Sequence, residues 1–448
     1  MNLENRVEKF MERLHQQHVC MHGFILSVNG TELAKAYYHP FREGEMHRMF
    51  SVSKTFTGLA IGILAGDGKL QLDDRIVTFF PDWLPDEPDP KLMRLTVRDL
   101  LRMASNHCTD TYRMDVDQNW AETYFCTQST HEPGTAFNYD TSGTQVLAEL
   151  VYRLSGNEVL DFLEQRLFTL IGANDPKAWL RDPGGRCWGG SGLLMSLRDL
   201  HRAARLCMNG GEGIVPETYL REMTKLQTPT PFQANEEERY GYGLLCWQTR
   251  DGWSMYGLGG QLAICCPRKD TLLVTEADTR LDPNGVQKIY DAFFEEIYPY
   301  TDSESMEPKS WSKTAEALED SGVGVHFQEG PYFFEENPLT LQTLELRGNK
   351  LILRNADGCF EVPFGWGQNA ISHFPAQTDQ PAMASAGWIT PHLLKIRCSQ
   401  IGNSPCGIEL LLSFEKEYTV TVQARRSMIP EERILLHFDG ITSGYLKS

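Results

Sequence analysis

The sequence lacks long apolar runs, paired metal-type cysteines and an excess of positive charge. No stretch approaches about 18 consecutive apolar residues, so no membrane-spanning helix is predicted. The opening segment, Met1 to Glu8, has no apolar core of the kind that secretory signals carry, so export is not expected. The 11 cysteines include no C-x-x-C pair. They are therefore interpreted as reduced core residues rather than disulfides or zinc ligands.

Acidic residues outnumber basic ones. The chain has 60 Asp and Glu against 42 Lys and Arg, a formal net charge of -18. Such a balance disfavours nucleic acid and anionic membrane surfaces, so we expect neither as a partner. With no apparent leader, a cytoplasmic location is expected. A length of 448 residues is enough for two or three domains and a large core.

The segment from Met49 to Gly58 has the pattern of a helix start. A continuous apolar face follows at helical spacing, formed by Phe56, Leu59, Ala60, Ile63 and Leu64. Ser51 is then predicted at the helix N-terminus, and Lys54 lies one turn later on the same side.

That placement suits nucleophilic catalysis. A serine hydroxyl attacks poorly until a neighbouring base takes its proton, and lysine can be that base where burial or positive charge lowers its pKa. The N-terminus of a helix also favours a developing oxyanion. Two further Ser-x-x-Lys matches begin at Ser310 and Ser413. Neither opens an apolar helix, so only the match at Ser51 is interpreted as catalytic.

Local patterns predict an α+β architecture for the first two-thirds of the chain. Asn29-Gly30 between two apolar runs indicates a hairpin with a type I′ turn. Helices are predicted at 3–18, after Thr96, at 143–154, after Ser196 and at 286–298. Strands are predicted at 243–248, 254–256, 262–266 and 272–277. The Gly-rich segment 188–194 is interpreted as a packing turn, because position 193 is not the glycine that a G-x-S-x-G elbow requires.

We divide the sequence into three parts. Residues 1–300 are predicted to form the catalytic domain, 301–325 an acidic linker, and 326–448 an all-β barrel or sandwich domain. The last part contains short strand-like runs separated by turn residues, at 330–334, 341–346, 350–354, 360–364, 393–398, 409–414, 418–423 and 434–438.

Three segments in order resemble the motifs of a known superfamily. Ser51 to Lys54, Tyr139 to Thr141, and Tyr256 to Gln261 together resemble the serine β-lactamase and penicillin-binding-protein superfamily on its class C side. That side also contains family VIII carboxylesterases and D-amino-acid peptidases. The resemblance covers about residues 5–298. It implies a β-lactamase-like domain with an antiparallel sheet flanked by helices, and 326–448 resembles the β-barrel appended to many such proteins.

The resemblance implies a role for each motif. Ser51 would be the nucleophile and Lys54 its proton acceptor. Tyr139 would be a second proton-transfer group, provided that the neighbouring cation lowers its pKa. The oxyanion hole would consist of the backbone N–H groups of Ser51 and Gln261, with Gly260 as the alternative register.

Two residues depart from the family pattern. Thr141 replaces the asparagine of the second motif, and Leu258 stands where the third motif usually has Lys or His. Together with Gly259 and Gly260, these residues form the predicted substrate-binding set. His107 follows a predicted helix end, where it either lines the cleft or is an ordinary loop histidine.

Two functions compete on this basis. The first is a serine hydrolase, without metal or other cofactor, that cleaves an ester or amide of a small molecule through an acyl-enzyme on Ser51. An esterase, amidase or peptidase would fit. The second is a binding or scaffold protein that keeps the fold with impaired catalysis, as the changes at Thr141 and Leu258 suggest.

Overall fold

A seven-stranded sheet is the framework of the amino-terminal part of the chain in the computed structural model. The structure describes residues 2–114, 119–324, 327, 329–356, 358–374, 381–402, 407–416, 418–427 and 440–446. The α-helices among these residues are α1 (Leu3–Gln16), α2 (Val52–Gly66), α3 (Val97–Leu101), α4 (Trp120–Cys126), α5 (Thr141–Ser155), α6 (Val159–Leu163), α7 (Leu197–Met208), α8 (Glu217–Met223) and α9 (Gly285–Ala292).

The strands that precede residue 315 form two sheets. They are β1 (Cys20–Val28), β2 (Thr31–His39), β3 (His47–Arg48), β4 (Ala178–Trp179), β5 (Leu193–Met195), β6 (Trp247–Thr249), β7 (Gly252–Gly257), β8 (Gln261–Cys266), β9 (Thr271–Asp278) and β10 (Lys309–Thr314). The large sheet has the order β10-β2-β1-β9-β8-β7-β6, and β3, β5 and β4 form a small one. Helices α1, α2 and α7 contact the large sheet, and α9 reaches it through the Tyr290 hydroxyl, which donates to the Ser254 hydroxyl in β7 at 2.8 Å.

The chain divides into two compact units. One comprises Met1–Tyr37 and Arg42–Ser312, and the other comprises Tyr38–Phe41 and Lys313–Ser448. Within the predicted linker, residues 309–314 form strand β10 of the large sheet, and the division falls between Ser312 and Lys313. No helix in the described ranges is long and apolar enough to cross a membrane.

The local turn and capping predictions are confirmed. Asn29 and Gly30 both have positive φ, 50° and 75°, between β1 and β2. The Thr96 side chain accepts from the backbone N–H of Asp99 at the start of α3, and Ser196 caps α7 in the same way. Short polar side chains at these positions satisfy backbone donors that have no partner inside the helix.

Helix α2 differs from the amphipathic helix that its sequence predicts. Every residue from Val52 to Leu64 is buried, so the helix is enclosed on all sides rather than on one face. Two glycines allow this close packing. The Tyr219 hydroxyl donates to the Gly58 carbonyl at 2.6 Å, and a Cβ at Gly62 would lie 2.4 Å from the Tyr219 ring. Close packing therefore holds α2 in place, and with it the position of Ser51, which precedes the helix.

The second unit is built on one barrel-like sheet of eleven strands. These are β11 (Tyr332–Phe333), β12 (Thr343–Arg347), β13 (Lys350–Asn355), β14 (Gly358–Pro363), β15 (Gly365–Trp366), β16 (Ala370–His373), β17 (Pro381–Thr390), β18 (Leu393–Gln400), β19 (Gly407–Ser413), β20 (Thr419–Ser427) and β21 (Gly440–Leu446). Its apolar side chains form their own buried cluster. The predicted fold class is confirmed for both parts. The predicted run at 434–438 lies outside the described residues, and β17 was not predicted.

Candidate active site

Ser51 lies between the end of the small sheet and the first turn of α2. The segment before it is anchored, because Met49 N–H donates to the Leu193 carbonyl at 2.9 Å. Phe50 has φ +47°, an unusual conformation for a residue with a side chain. Ser51 occupies the N-cap position, yet its side chain makes no capping hydrogen bond. Ser51 is half-exposed. Its hydroxyl is therefore not used to cap α2.

The Ser51 hydroxyl is in contact with the side chain of Lys54. Lys54 Nζ donates to Ser51 Oγ at 3.1 Å and to the Gly190 carbonyl at 2.8 Å. Lys54 is 1% exposed, so its amine is held inside the protein with defined partners. The other two Ser-x-x-Lys matches lie on strands, since Ser310 is in β10 and Ser413 ends β19.

Tyr139 completes a cluster of three polar groups. Its ring centroid lies 4.8 Å from Lys54 Nζ, and its hydroxyl is close enough to the Ser51 side chain for Ser51 to lower its pKa. Burial raises the pKa of Tyr139 above its ordinary value, and the charges of Glu238 and Asp110 raise it further, whereas the Ser51 hydrogen bond lowers it. The lowered pKa on which the proton-relay hypothesis depended is not found. Tyr139 is a protonated phenol at neutral pH.

Two buried carboxylates hold the start of α5 beside Tyr139. Asp110 Oδ1 accepts from the Thr141 N–H at 2.6 Å, and Asp140 accepts from the Gly143 N–H at 3.1 Å and from the Ser105 hydroxyl at 2.8 Å. Burial raises the pKa of Asp140 to about 6. Carboxylates stabilise a helix N-terminus through its unpaired N–H groups and its dipole.

The end of β7 approaches the segment that contains Ser51. A Cβ at Gly257 would lie 2.2 Å from the Met49 carbonyl oxygen, so only glycine fits there. Gly259 and Gly260 follow with φ values of 86° and 100°. The Gln261 side chain closes this turn, because its amide nitrogen donates to the Leu258 carbonyl at 2.7 Å and to the Ala277 carbonyl at 3.0 Å. The glycines thus shape a backbone edge next to Ser51.

Two arginines near Ser51 are already engaged. The guanidinium carbons of Arg48 and Arg280 lie 4.8 and 5.6 Å from the ring centroid of Phe50. Arg48 is fully buried and donates to the Ser191 carbonyl, and Arg280 forms an ion pair with Asp278 at 2.8 Å. Neither arginine therefore provides the exposed cation that a Lys or His at position 258 would supply. The described residues contain no group of three or more histidine, cysteine or acidic side chains that could hold a metal ion.

Comparison with known proteins identifies the family. The beta-lactamase family model matches residues 3–280, more than half of the chain. The chain belongs to the beta-lactamase family. The matched range includes all three segments around Ser51, Tyr139 and Gly257, and the predicted superfamily resemblance is confirmed.

Individual relatives agree with this assignment. The chain is 25% identical over 300 residues to the 6-aminohexanoate-dimer hydrolase of Paenarthrobacter ureafaciens, covering 61% of this chain and 76% of that protein. The D-amino acid amidase from Ochrobactrum anthropi SV3, solved in complex with L-phenylalanine amide, has a TM-score of 0.54 at 18% identity and covers 66% of this chain and 98% of its own. The octameric penicillin-binding protein homologue from Pyrococcus abyssi has a TM-score of 0.51 at 16% identity and covers 94% and 98%. The chain is a serine hydrolase of the beta-lactamase family.

The remaining predicted site residues have different surroundings. The methyl group of Thr141 packs against Gly190, where a Cβ would approach Thr141 Cγ2 to 2.3 Å. Leu258 is 42% exposed. His107 is buried, its Nε2 lies 3.3 Å from the Tyr124 carbonyl oxygen, and burial lowers its pKa to about 4. His107 is thus a neutral, buried histidine, whereas Thr141 and Leu258 belong to the second and third motifs.

Sequence reasoning missed three residues around this beta-lactamase-family site. Gly190 belongs to the turn that was interpreted as packing only, yet its carbonyl accepts from Lys54. Trp247 stacks on Tyr139 with ring centroids 5.7 Å apart. Glu238 accepts from the Tyr256 hydroxyl at 2.7 Å. The glycine pair at 189–190 was a usable signal for close backbone approach, but no local pattern distinguished Trp247 or Glu238.

Proposed function

We propose that the protein hydrolyses an ester or amide of a small molecule through an acyl-enzyme on Ser51. Ser51 Oγ forms a bond to the substrate carbonyl carbon, and its proton passes to Lys54 Nζ in the neutral amine form. The observation that carries this proposal is the 3.1 Å contact between Lys54 Nζ and a serine hydroxyl that makes no capping bond.

Tyr139 supplies the second proton transfer. A phenol whose pKa is raised keeps its proton, so we assign Tyr139 as the donor to the leaving oxygen or nitrogen. Lys54 then returns the proton taken from Ser51 to the phenolate. In the second half-reaction water attacks the acyl carbon and gives a proton to Lys54. Lys54 passes that proton to Ser51 Oγ as the bond between Oγ and the acyl carbon breaks, which restores the serine hydroxyl and the neutral amine.

The oxyanion that forms during both steps needs preorganised donors. We propose the backbone N–H groups of Ser51 and Gln261. The N–H of Gly260, the alternative donor, already donates to the Gly257 carbonyl at 3.3 Å. The close approach of Gly257 to Met49 supports this assignment, because it brings the β7 end and the Ser51 segment together. Thr141, Gly259 and Gly260 are proposed to contact the substrate, and His107 to support the loop behind the cleft.

Leu258 bears on the substrate class. Leu258 is exposed and stands where the third motif of the superfamily usually has Lys or His, so it offers no partner to a substrate carboxylate. Desolvating an unpaired carboxylate costs several kcal/mol. We therefore propose that acyl groups without a carboxylate are preferred.

Covalent labelling tests the nucleophile. A fluorophosphonate probe should label the folded wild-type protein, and peptide mass spectrometry should place the adduct on Ser51. Ser51→Ala should abolish labelling and turnover, whereas Ser310→Ala and Ser413→Ala, which carry the same motif in strands, should keep both. Folded wild-type protein that takes up no probe and cleaves no ester would favour the binding or scaffold function. Labelling that persists in Ser51→Ala would identify a different nucleophile.

A further inference from the structure

Glu238 is an acidic side chain beside the catalytic cluster without a basic partner. Its Oε1 accepts from the Tyr256 hydroxyl at 2.7 Å and from Asn235 Nδ2 at 2.8 Å, and both donors are neutral. Within the described residues, no lysine or arginine forms an ion pair with it. The preceding residue differs, because Glu237 is paired with Arg250 at 2.7 Å. A half-buried carboxylate of this kind has a charge that the protein leaves uncompensated.

The turn that carries Glu238 is fixed in position. Arg250 donates to Glu237 through its backbone N–H at 2.8 Å and through its guanidinium at 2.7 and 2.9 Å. The Thr230 hydroxyl donates to the Glu238 carbonyl at 2.6 Å. Because these contacts hold the backbone and two donors hold Oε1, the carboxylate is preorganised rather than a freely moving surface group.

Aromatic rings connect Glu238 to the catalytic tyrosine. Tyr256 is half-exposed, and its ring centroid lies 5.9 Å from that of Trp247, which stacks on Tyr139 at 5.7 Å. The next residue, Gly257, lies against the Met49 carbonyl at the start of the Ser51 segment. The charge of Glu238 acts on the Tyr139 phenol and raises its pKa. Glu238 therefore lies within electrostatic reach of the reacting groups.

We propose that Glu238, together with the ring of Tyr256, forms a subsite for an ammonium group of the substrate. This inference rests on the proposed function and specifies its substrate class. A carboxylate with one oxygen outside the internal hydrogen bonds attracts a cation, and an aromatic face adds a further favourable contact. Leu258, two residues after Tyr256, is exposed and provides no cation. The cleft thus selects substrates by the sign of their charge.

The alternative is that Glu238 serves only as an acceptor for Tyr256 and Asn235. A glutamine at 238 keeps an acceptor oxygen of the same shape, so Glu238→Gln removes the charge while preserving that role. Glu236 provides the matched control. It is exposed in the same turn, and Glu236→Gln makes the same change in net charge away from Tyr256.

The test compares two p-nitrophenyl esters of equal shape. One has an ω-(trimethylammonio)pentanoyl group, and the other has its tert-butyl isostere, in which carbon replaces nitrogen. Wild type and Glu236→Gln should favour the cationic ester by roughly tenfold or more in kcat/KM, as a paired, partly desolvated cation allows. Glu238→Gln should reduce that ratio to near unity, and added salt should reduce it in wild type. A wild-type ratio near unity, or a ratio that Glu238→Gln leaves intact, would overturn the proposal.

Binding measurements test the ammonium subsite independently of hydrolysis. In Ser51→Ala protein, calorimetry with the same two esters measures the preference without turnover. Cationic selectivity that depends on Glu238, found where wild type hydrolyses neither ester, would support the subsite and refute the proposed function. Hydrolysis of both esters with equal binding would refute the subsite and leave the proposed function standing.

Discussion

The buried amine of Lys54 donates to the carbonyl oxygen of Gly190 at 2.8 Å while it contacts Ser51 at 3.1 Å. The two partners come from segments far apart in the chain, since Gly190 lies in the turn before β5 and Ser51 at the start of α2. Thr57 supports that turn, because its hydroxyl donates to the Gly189 carbonyl at 2.9 Å. The position of the Lys54 amine therefore depends on Gly190, a residue with no side chain.

This relationship predicts the effect of Gly190→Ala. The added Cβ would lie 2.3 Å from Thr141 Cγ2 and 3.4 Å from Lys54 Nζ, so the turn must shift away from one of them. A displacement of about 1 Å in a catalytic group can cost about 10²-fold in rate, and we expect a loss of that order in kcat. Steady-state kinetics on a short p-nitrophenyl ester measures it.

A double variant shows whether crowding is the cause. Thr141→Ser removes the Cγ2 methyl group, so Gly190→Ala with Thr141→Ser should regain part of the lost kcat. A double variant no better than the product of the two single changes would mean that the Thr141 contact does not transmit the effect.

Lys54 and Tyr139 should differ in how their loss affects the rate. Lys54→Met keeps bulk but removes the base, and Tyr139→Phe removes one hydroxyl. We expect reductions in kcat of about 10² to 10⁴, with the larger loss for Lys54, because removing a general acid or base has effects of this size. Circular dichroism should show both variants folded.

The raised pKa of Tyr139 also predicts the alkaline side of the pH profile. A group with a raised pKa keeps its proton to higher pH, so the proton donor should persist beyond the ordinary tyrosine value of 10.0. The kcat of wild type should show no alkaline decline from Tyr139 below about pH 10. A decline centred below about pH 9 that disappears in Tyr139→Phe would contradict this assignment.

Asp140 links the site to stability. Its pKa is raised from 3.8 to about 6, so the folded protein holds a proton that the unfolded chain has already lost in this range. Its contribution to stability therefore falls as pH rises from about 4 to about 6, by up to about 3 kcal/mol for a shift of this size. Asp140→Asn should remove this pH-dependent contribution to stability.

Urea unfolding of wild type and Asp140→Asn at several pH values isolates the pH-dependent contribution of Asp140 to stability. The difference in unfolding free energy should move in favour of Asp140→Asn by up to about 3 kcal/mol between pH 4 and 6, because other titrating groups cancel in the comparison. A difference that stays constant with pH would show that Asp140 is ionised in the folded state throughout this window.

Local rules explain which parts of the site were predictable. The Ser51–Lys54 contact follows from helical spacing, and the Asn29-Gly30 turn follows from backbone sterics. Gly190 and Glu238 depend on contacts between residues far apart in sequence, and no periodicity encodes them. The direction of the Tyr139 pKa shift depends on burial and on two carboxylates that are distant in sequence, and the motif alone does not specify either.

The second unit shows the same limit in its secondary structure. Strands with alternating apolar residues, such as β12 and the start of β20, were predicted from their pattern. Strand β17 was missed because it is rich in alanine, serine and glycine, which have low strand propensity. Its residues from Ala382 to Trp388 are buried. Small side chains are favoured there by close packing rather than by intrinsic preference.

The final prediction concerns the charge of the acyl group. Leu258 is exposed beside Gly257 and cannot donate to a carboxylate, and Arg48 and Arg280 are buried with partners of their own. Short neutral p-nitrophenyl esters should therefore be cleaved measurably, while nitrocefin and penicillins, which carry a carboxylate, should be poor substrates. An unpaired desolvated carboxylate costs several kcal/mol, which corresponds to a few powers of ten in kcat/KM.

Restoring a cation tests the cause of that preference. Leu258→Lys should reduce the difference in kcat/KM between the neutral ester and the β-lactam. Leu258→Met, which changes shape but not charge, should leave that difference unchanged. The direction follows from charge alone, because lysine can pair with the carboxylate that leucine leaves unpaired. If native protein already prefers the carboxylate-bearing β-lactam, another basic side chain must reach the substrate, and the role assigned to Leu258 is wrong.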